Sequence, residues 1–219
     1  MKTKIIACKT IEDEIICASS QAGVEYPVVW LESGLHNNPK DLNARLQSEL
    51  NEIDADRVLL AFGFCGNALL GLETGDYTTV IPRADDCISL LIGSNKERSK
   101  ISAEYAAYFL TDGWMRGERN IWVEYQHSLE KYGQELTDMI MEKMFGHYRT
   151  LGLLDSGVIP IEALMESTRV IADTLSLEQK VIPATLSFVG QLLTGPWERD
   201  KFIVKPPHTT VTADDMLGG

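Results

Sequence analysis

The sequence predicts an α/β protein of the Rossmann-like kind, with a mainly parallel sheet between helices on both faces, in three layers. Short apolar runs such as residues 58–62 and 78–81 alternate with segments of helical periodicity, which is typical of βαβ units. The crossovers that join such strands make consecutive strands parallel. We find no repeat of fixed period and no low-complexity linker, so residues 1–208 are predicted to form a single domain and residues 209–219 a flexible tail.

Helix start and stop signals support the elements of the first half in order. After a first strand that ends at Cys8, residues 11–23 carry apolar side chains at helical spacing and finish on a glycine. A strand over residues 28–31 leads to Asn38, a good N-cap residue, and Pro39 suits the first turn of the helix that follows. The remaining elements of this half are strands over residues 58–62 and 78–81 and, after an acidic turn that suits a helix dipole, a helix over residues 88–92.

The second half is predicted to begin with a strand over residues 108–110. The longest helical pattern of the chain, residues 122–145, comes next and ends at Gly146. The elements after it are a strand over residues 148–154, helices over residues 160–174 and 187–194, and a last strand over residues 202–204.

The composition restricts the class of protein and its partners. A hydrophobic share of 44% and a charged share of 24% over 219 residues are ordinary for a globular protein with a sizeable core. The formal net charge of −12, with no cluster of Lys and Arg, disfavours nucleic acid and anionic membrane surfaces as partners. The apolar runs fall short of the roughly 18 residues that a membrane span needs, and no signal-peptide pattern opens the chain. We therefore expect a cytoplasmic protein with reduced cysteines.

Three of the four cysteines stand where a strand-like run gives way to a turn. Cys8 ends the first strand, and Cys65 and Cys87 follow the strands over residues 58–62 and 78–81. Because ligands of open parallel sheets bind outside the carboxyl ends of the strands, we expect these thiols to meet at one crevice. Three thiolates are soft ligands that leave a coordination position open, as in a catalytic zinc site or an iron–sulfur cluster with one labile iron.

The location of these thiols also affects their expected ionisation. Helix N-termini beside such turns lower the pKa of a thiol, so the three cysteines are expected to ionise readily. Taken singly, each equally fits a small buried side chain, which is how we interpret Cys17 on the first helix.

Polar residues of the same turns complete the predicted site. The peptide N–H groups of Gly66 and Asn67 are candidates for a small anion-binding nest in a cofactor-binding loop. Arg83 is suited to holding a carboxylate or phosphate, and Asp86 to acting as a general base or as an acceptor beside the metal ligands. His36 is a candidate fourth ligand or proton shuttle. The alternatives are an ordinary strand–helix turn, a helix cap and a surface histidine.

Several of these turns together match the pattern of a known family. They are GFCGN over residues 63–67 with GL at 71–72, IPR over 81–83, DCI over 86–88 and GS at 93–94, together with IAC over 6–8, GLHN over 34–37 and DGW over 112–114. With these segments the chain resembles, from its first strand to Phe202, the domain-of-unknown-function family sixteen thirty-eight. The chain departs from that pattern at Ala84 and Asp85, where a bulkier residue and a histidine are expected.

The resemblance implies a metabolic setting without an established activity. Members of the family occur in archaea and anaerobic bacteria, often encoded beside corrinoid-dependent methyltransferase systems for methylamines and betaines. A corrinoid protein or a methyltransferase is therefore an expected partner, as is a small-molecule substrate.

Three functions fit these observations. The leading hypothesis is a metalloprotein whose Cys8, Cys65 and Cys87 bind zinc or an iron–sulfur cluster in one-carbon, corrinoid-dependent methyl transfer, either activating a thiol substrate or delivering electrons. The first alternative is a metal-free enzyme in which Cys8 and Cys65 are an acid/base pair acting on a small carboxylate. The second is a non-enzymatic accessory protein that docks on a corrinoid protein or methyltransferase through the methionine-bearing helix over residues 122–145.

Overall fold

The strands of the protein form two mainly parallel sheets rather than one. The protein is seen in a computed structural model that describes residues 1–117 and 120–217. The strands are β1 (Thr3–Cys8), β2 (Val28–Leu31), β3 (Arg57–Ala61), β4 (Thr78–Pro82), β5 (Ala107–Leu110), β6 (Thr150–Asp155), β7 (Glu178–Pro183) and β8 (Phe202–Lys205). The first sheet has the order β2-β1-β3-β4-β8, with β8 antiparallel to β4, and the second has the all-parallel order β5-β6-β7.

Helices follow most of the strands and begin where sequence signals place them. Asn38 accepts a hydrogen bond from Lys40 N at the start of α2, and Gly23 ends α1 in the left-handed conformation. The helices are α1 (Glu12–Ala22), α2 (Pro39–Glu52), α3 (Cys87–Ile92), α4 (Asn95–Tyr105), α5 (Asp112–Met115), α6 (Ile121–Tyr132), α7 (Gln134–Phe145), α8 (Ile161–Leu175), α9 (Ser187–Thr194) and α10 (Ala213–Leu217), with 3₁₀ turns over Lys9–Ile11 and Ser33–Asn37. Among the described residues, no helix has the length and apolarity needed to cross a membrane.

The first sheet separates two hydrophobic layers. Side chains alternate along β1, so Ile5 packs in the core formed with α1 and α9, whereas Ile6 packs in the core formed with α2. The leucines of α2 are buried at helical spacing against the second of these layers. The predicted α/β class, with a mainly parallel sheet and helices on both faces, is therefore confirmed.

The second sheet is where the sequence prediction fell short. Its strands share the core of the first sheet, because Phe109, Leu154 and Ile182 pack in the same cluster as Ile5. The edge strand β7 was not predicted, since its first three residues are polar and only Ile182 of the strand is buried. The predicted helix over residues 122–145 is two helices, because Gly133 adopts φ 75° between α6 and α7.

The segment predicted to be a flexible tail makes contacts with the rest of the chain as far as Met216. Val211 is buried and exchanges backbone hydrogen bonds with Gly71 and Leu72 at 2.9 and 2.8 Å. Asp215 of α10 pairs with Lys205 at 2.7 Å. These contacts attach the C-terminal segment to the loop before β4 and to β8.

Two loops at the carboxyl edge of the first sheet are joined backbone to backbone. Phe64 N donates to Ala84 O at 2.7 Å, and Cys65 N donates to Asp85 O at 2.9 Å. These bonds require Gly63, because a Cβ at that position would lie 2.6 Å from the carbonyl carbon of Asp86. The loop after β3 and the loop after β4 are thereby fixed against each other.

A buried carboxyl group lies between the two sheets. Glu14 of α1 is almost fully buried and accepts a hydrogen bond at 3.0 Å from Ser156 Oγ, just after β6. Burial raises the pKa of this carboxyl group, and the neighbouring charge of Asp13 acts in the same direction, against the hydrogen bond from Ser156. The fold therefore favours the neutral form of Glu14 more than water does.

The close approach of Gly63 to the backbone of Asp86 predicts that one methyl group added at Gly63 destabilises the protein. We expect Gly63→Ala to lower the free energy of unfolding by about 1–3 kcal/mol, because the loop must move away from Asp86. Gly190→Ala is the matched control, since nothing lies within 4 Å of the added Cβ, and a gain of about 0.5–1 kcal/mol is expected from helix propensity. Urea unfolding of both variants measures the difference, and equal stabilities would contradict the packing described here.

The raised pKa of Glu14 predicts that the stability of the protein depends on pH. Because its folded pKa lies above its unfolded value, the stability that the neutral group permits is present at low pH and is lost as the pH rises through the folded pKa. We expect Glu14→Gln to be more stable than the wild type at about pH 8 and the difference to shrink towards about pH 4. Thermal unfolding across this range is the measurement, and Glu25→Gln, at an exposed position, is the control. A Gln variant that is less stable at the higher pH would contradict this assignment.

Candidate functional site

A cavity of about 240 Å³ lies between the carboxyl edge of the first sheet and the strand β5 of the second. The ends of β1, β3 and β4 supply one side of it, and Tyr108, Phe109 and Trp114 supply an aromatic wall on another. A hydrogen bond of 3.3 Å from Thr111 Oγ1 to Thr10 O holds the end of β5 against the turn after β1. The cavity thus lies at the strand ends, where ligands of open α/β sheets bind.

The three strand-end cysteines line this one cavity. Cys8 and Cys87 are buried, Cys65 is partly buried, and all three are free thiols. Cys8 Sγ lies 3.0 Å from Thr10 Oγ1. Cys17 does not line the cavity and is partly exposed on α1. The parallel register of β1 and β3 and the joined loops bring the three thiols to the same place.

The ionisation of these thiols differs from the sequence expectation. Burial raises the pKa of Cys65 to about 12, with smaller contributions from Cys8 and Asp86. Burial likewise raises the pKa of Cys8, and it raises the pKa of Cys87 well above the ordinary value, with contributions from both other thiols and Asp86. Each thiolate would therefore repel its neighbours in a poorly solvated cavity, and this effect dominates any stabilisation by helix N-termini. The thiols are neutral at neutral pH unless a cation accompanies them.

The donor types at the cavity suit a soft metal, whereas their arrangement is not a preformed ligand set. In residues 1–117 and 120–217, no group of three or more His, Cys, Asp or Glu side chains is arranged to hold a metal ion. Thiol groups are nevertheless the ligands that zinc and iron–sulfur clusters prefer.

Asp86 lines the cavity, and both of its carboxylate oxygens accept hydrogen bonds. Its Oδ1 accepts hydrogen bonds from Ser89 N at 2.8 Å and Ser89 Oγ at 3.0 Å, which caps α3. Its Oδ2 pairs with Arg98 at 2.8 Å. Asp86 therefore both begins the helix that carries Cys87 and fixes Arg98 at the cavity.

His36 lies at the cavity, and its ring centroid is 4.5 Å from that of Trp114. The 3₁₀ turn over Ser33–Asn37 after β2 places it there. The aromatic contact fixes the imidazole against the wall on the side of the second sheet.

The other predicted residues lie away from the cavity. The guanidinium group of Arg83 donates to Arg199 O at 2.7 Å and to Asp215 O, which fastens the C-terminal segment. Gly66 and Asn67 are exposed and are not among the residues that line the cavity.

Sequence reasoning missed Arg98, Tyr108, Phe109 and Tyr148 of this site, whereas Trp114, which follows a strand end, was a candidate for a pocket wall. Arg98 lies on α4, a largely polar helix without a fully buried residue, in which only Ile101 and Tyr105 pack against the core. The signal that was available is the pair Ser94 and Glu97, a capping-box pattern in which Ser94 Oγ accepts from Glu97 N at 3.1 Å. No local pattern reveals that Tyr108 and Tyr148 face the same cavity, because they come from different parts of the second half of the chain.

Comparison with known proteins gives a family and no further relative. Residues 30–193 match the family described as "Protein of unknown function (DUF1638)". No match was found among the curated proteins or among the solved structures. The matched region contains Cys65, Cys87, His36 and Arg98, and Cys8 precedes it. Because the match covers most of the chain, the protein belongs to the DUF1638 family.

Proposed function

We propose that the chain is a metalloprotein whose Cys8, Cys65 and Cys87 bind a soft metal, as a zinc ion or an iron–sulfur cluster, at the cavity between the two sheets. The observation that carries the proposal is that three thiols from three separate segments line one cavity. Three sulfur ligands from distant segments are typical of metal centres that leave a position for substrate.

Electrostatics supports a cation at this place. Each of the three thiols has a raised pKa, and part of the cause in Cys65 and Cys87 is repulsion from the other thiolates. A metal cation removes this penalty, because a coordinated thiol loses its proton and its negative charge is neutralised. Binding must also reorganise the thiols, since they are not preformed as a ligand set in the described chain.

The residues around the thiols would have distinct roles beside a bound metal centre. Bound zinc supplies a Lewis acid that activates a thiol substrate, and an iron–sulfur cluster supplies electrons. Asp86 and Arg98 hold the cavity rim in place through their ion pair, and the aromatic wall limits the access of water. His36 lies where it can exchange a proton with a substrate.

The metabolic setting that we propose is one-carbon, corrinoid-dependent methyl transfer, in the cytoplasm, with a small molecule or a corrinoid protein or methyltransferase as partner. Its support is the resemblance of the turns to the family named above. For a protein partner, α7 presents Met139 and Met144 with exposed fractions of 64% and 53%, and methionine side chains adapt to varied partner surfaces.

Metal content tests the proposal directly. We expect protein prepared without oxygen to hold one zinc ion or one cluster per chain, and Cys8→Ser, Cys65→Ser and Cys87→Ser each to lose most of it, because three ligands become two. Elemental analysis with a visible absorption spectrum distinguishes zinc from an iron–sulfur cluster.

Cys17→Ser is the matched control and should keep the metal, because Cys17 lies on α1 outside the cavity. Metal content that is unchanged in all three cavity variants, or a wild type that binds neither zinc nor a cluster, would contradict the proposal.

A second candidate, metal-free thiol chemistry, is favoured by the lack of a preformed metal-ligand group in the described residues. In that case Cys8 and Cys65 would be proton donors and acceptors towards a small carboxylate. The raised thiol pKa values suit the donor better than the acceptor.

Alkylation of the metal-free protein tests the protonation state on which both candidates depend. Since the thiolate is the reactive form, the rate at Cys65 should keep rising, about tenfold per pH unit, from about pH 7 to about pH 10 without a plateau. Mass spectrometry of the iodoacetamide-modified peptide gives the rate, with a free small thiol as the reference. A plateau below about pH 9 would show that Cys65 ionises readily and would favour metal-free catalysis.

A further inference from the structure

Two buried N–H donors of residues that line the cavity complete no hydrogen bond in the described part of the chain. In the described part of the chain, four buried side-chain polar atoms lack a hydrogen-bond partner, and two of them, Arg98 Nε and Trp114 Nε1, belong to residues that line this cavity. A buried donor without an acceptor is unfavourable, and native proteins satisfy nearly all such groups. Two in one cavity indicate a ligand that brings acceptor atoms.

The carboxylates at the cavity already have partners of their own. Asp86 accepts from the backbone and hydroxyl of Ser89 and from Arg98 NH2, which holds the guanidinium in place while its Nε stays unpaired. Glu32 lies 3.6 Å from Lys9 Nζ. Both carboxylates are thus already paired, and neither accepts a hydrogen bond from Arg98 Nε or Trp114 Nε1.

Tyr108 adds a protonated hydroxyl group to the donors at this wall of the cavity. Burial raises the pKa of its hydroxyl to about 12, so the group keeps its proton at neutral pH. The indole N–H of Trp114 lowers that pKa against the effect of burial, which shows that the two groups are neighbours, yet Trp114 Nε1 completes no hydrogen bond. Donors thus converge from β5, α4 and α5.

The charges and size of the cavity restrict the ligand further. Asp86 balances the charge of Arg98, and Glu32 also lines the cavity, so a ligand with two negative charges such as a phosphate dianion is disfavoured. The volume of about 240 Å³ is below the range of drug-sized pockets, and the aromatic wall favours an apolar body.

We propose that Arg98 and Trp114 bind the carboxylate of a small monocarboxylate whose apolar body lies against Tyr108 and Phe109. This subsite goes beyond the proposed metal centre and stands with or without a metal on the cysteines. It places the ligand beside the three thiols, within the same cavity.

Proton NMR of the full-length, metal-free protein tests this subsite. The indole N–H signal of Trp114 is assigned by its loss in Trp114→Phe, and benzoate, acetate, benzamide and inorganic phosphate are the probes. We expect benzoate or acetate to move this signal downfield in a saturable way, because the indole N–H gains an anionic acceptor, and benzamide and phosphate to bind more weakly.

Variants assign the interaction to the two donors. Trp114→Phe and Arg98→Lys should each weaken carboxylate binding about ten- to hundredfold, the effect of losing a hydrogen bond to a charged group. Arg98→Lys keeps the charge beside Asp86 and removes Nε. Binding is followed by ligand-observed NMR, since Trp114→Phe removes the indole signal. The control is Trp122→Phe, because Trp122 does not line the cavity.

Three results of the binding measurements would overturn the proposal. An indole signal that neither carboxylate moves shows that the donors do not bind this group. Equal binding of benzoate and benzamide shows that the anion is not recognised, and preferential binding of phosphate replaces the ligand class. Metal content is measured on the same variants: normal metal with lost carboxylate binding rejects neither proposal, whereas carboxylate binding in a protein that takes up no metal rejects the metal centre alone.

Discussion

The cavity depends on the contact between the loop after β3 and the loop after β4. Two backbone hydrogen bonds, from Phe64 to Ala84 and from Cys65 to Asp85, join these loops, and the missing side chain at Gly63 lets them approach. Parallel pairing brings both loops to one edge of the sheet, and the two bonds then set the distance between their thiols. Without this contact, Cys65 and Cys87 would stand on independent loops.

The poorly solvated cavity that results decides the protonation of its groups. Burial keeps Cys8, Cys65 and Cys87 as neutral thiols and Tyr108 as a neutral phenol, so the cavity offers protonated groups until a charged partner enters. A metal cation would bind at the cysteines, and a carboxylate would bind at the aromatic wall of the same cavity. The first compensates negative charge, and the second satisfies unpaired donors.

The site shows which of its residues local sequence patterns can identify and which they cannot. Cys8, Cys65 and Cys87 could be assigned to one site because each ends a strand-like run, and the parallel arrangement of such runs is encoded in the alternation of strands and helices. Arg98 could not, because α4 is largely polar and the position of the Arg98 side chain follows from an ion pair with Asp86. Arg83 illustrates the opposite case: its place at a strand end suggested ligand binding, and the folded chain uses it to hold the C-terminal segment.

The sequence by itself determined the α/β class, most of the helices and strands, and the edge at which the thiols gather, since periodicity, caps and strand ends are local properties. Tertiary structure decided the rest. It split the strands into two sheets, placed Tyr108 and Trp114 opposite the cysteines, and raised the pKa values of the thiols, whose turns alone suggested the reverse. These features arise from burial and from contacts between residues far apart in the chain, which no local pattern records.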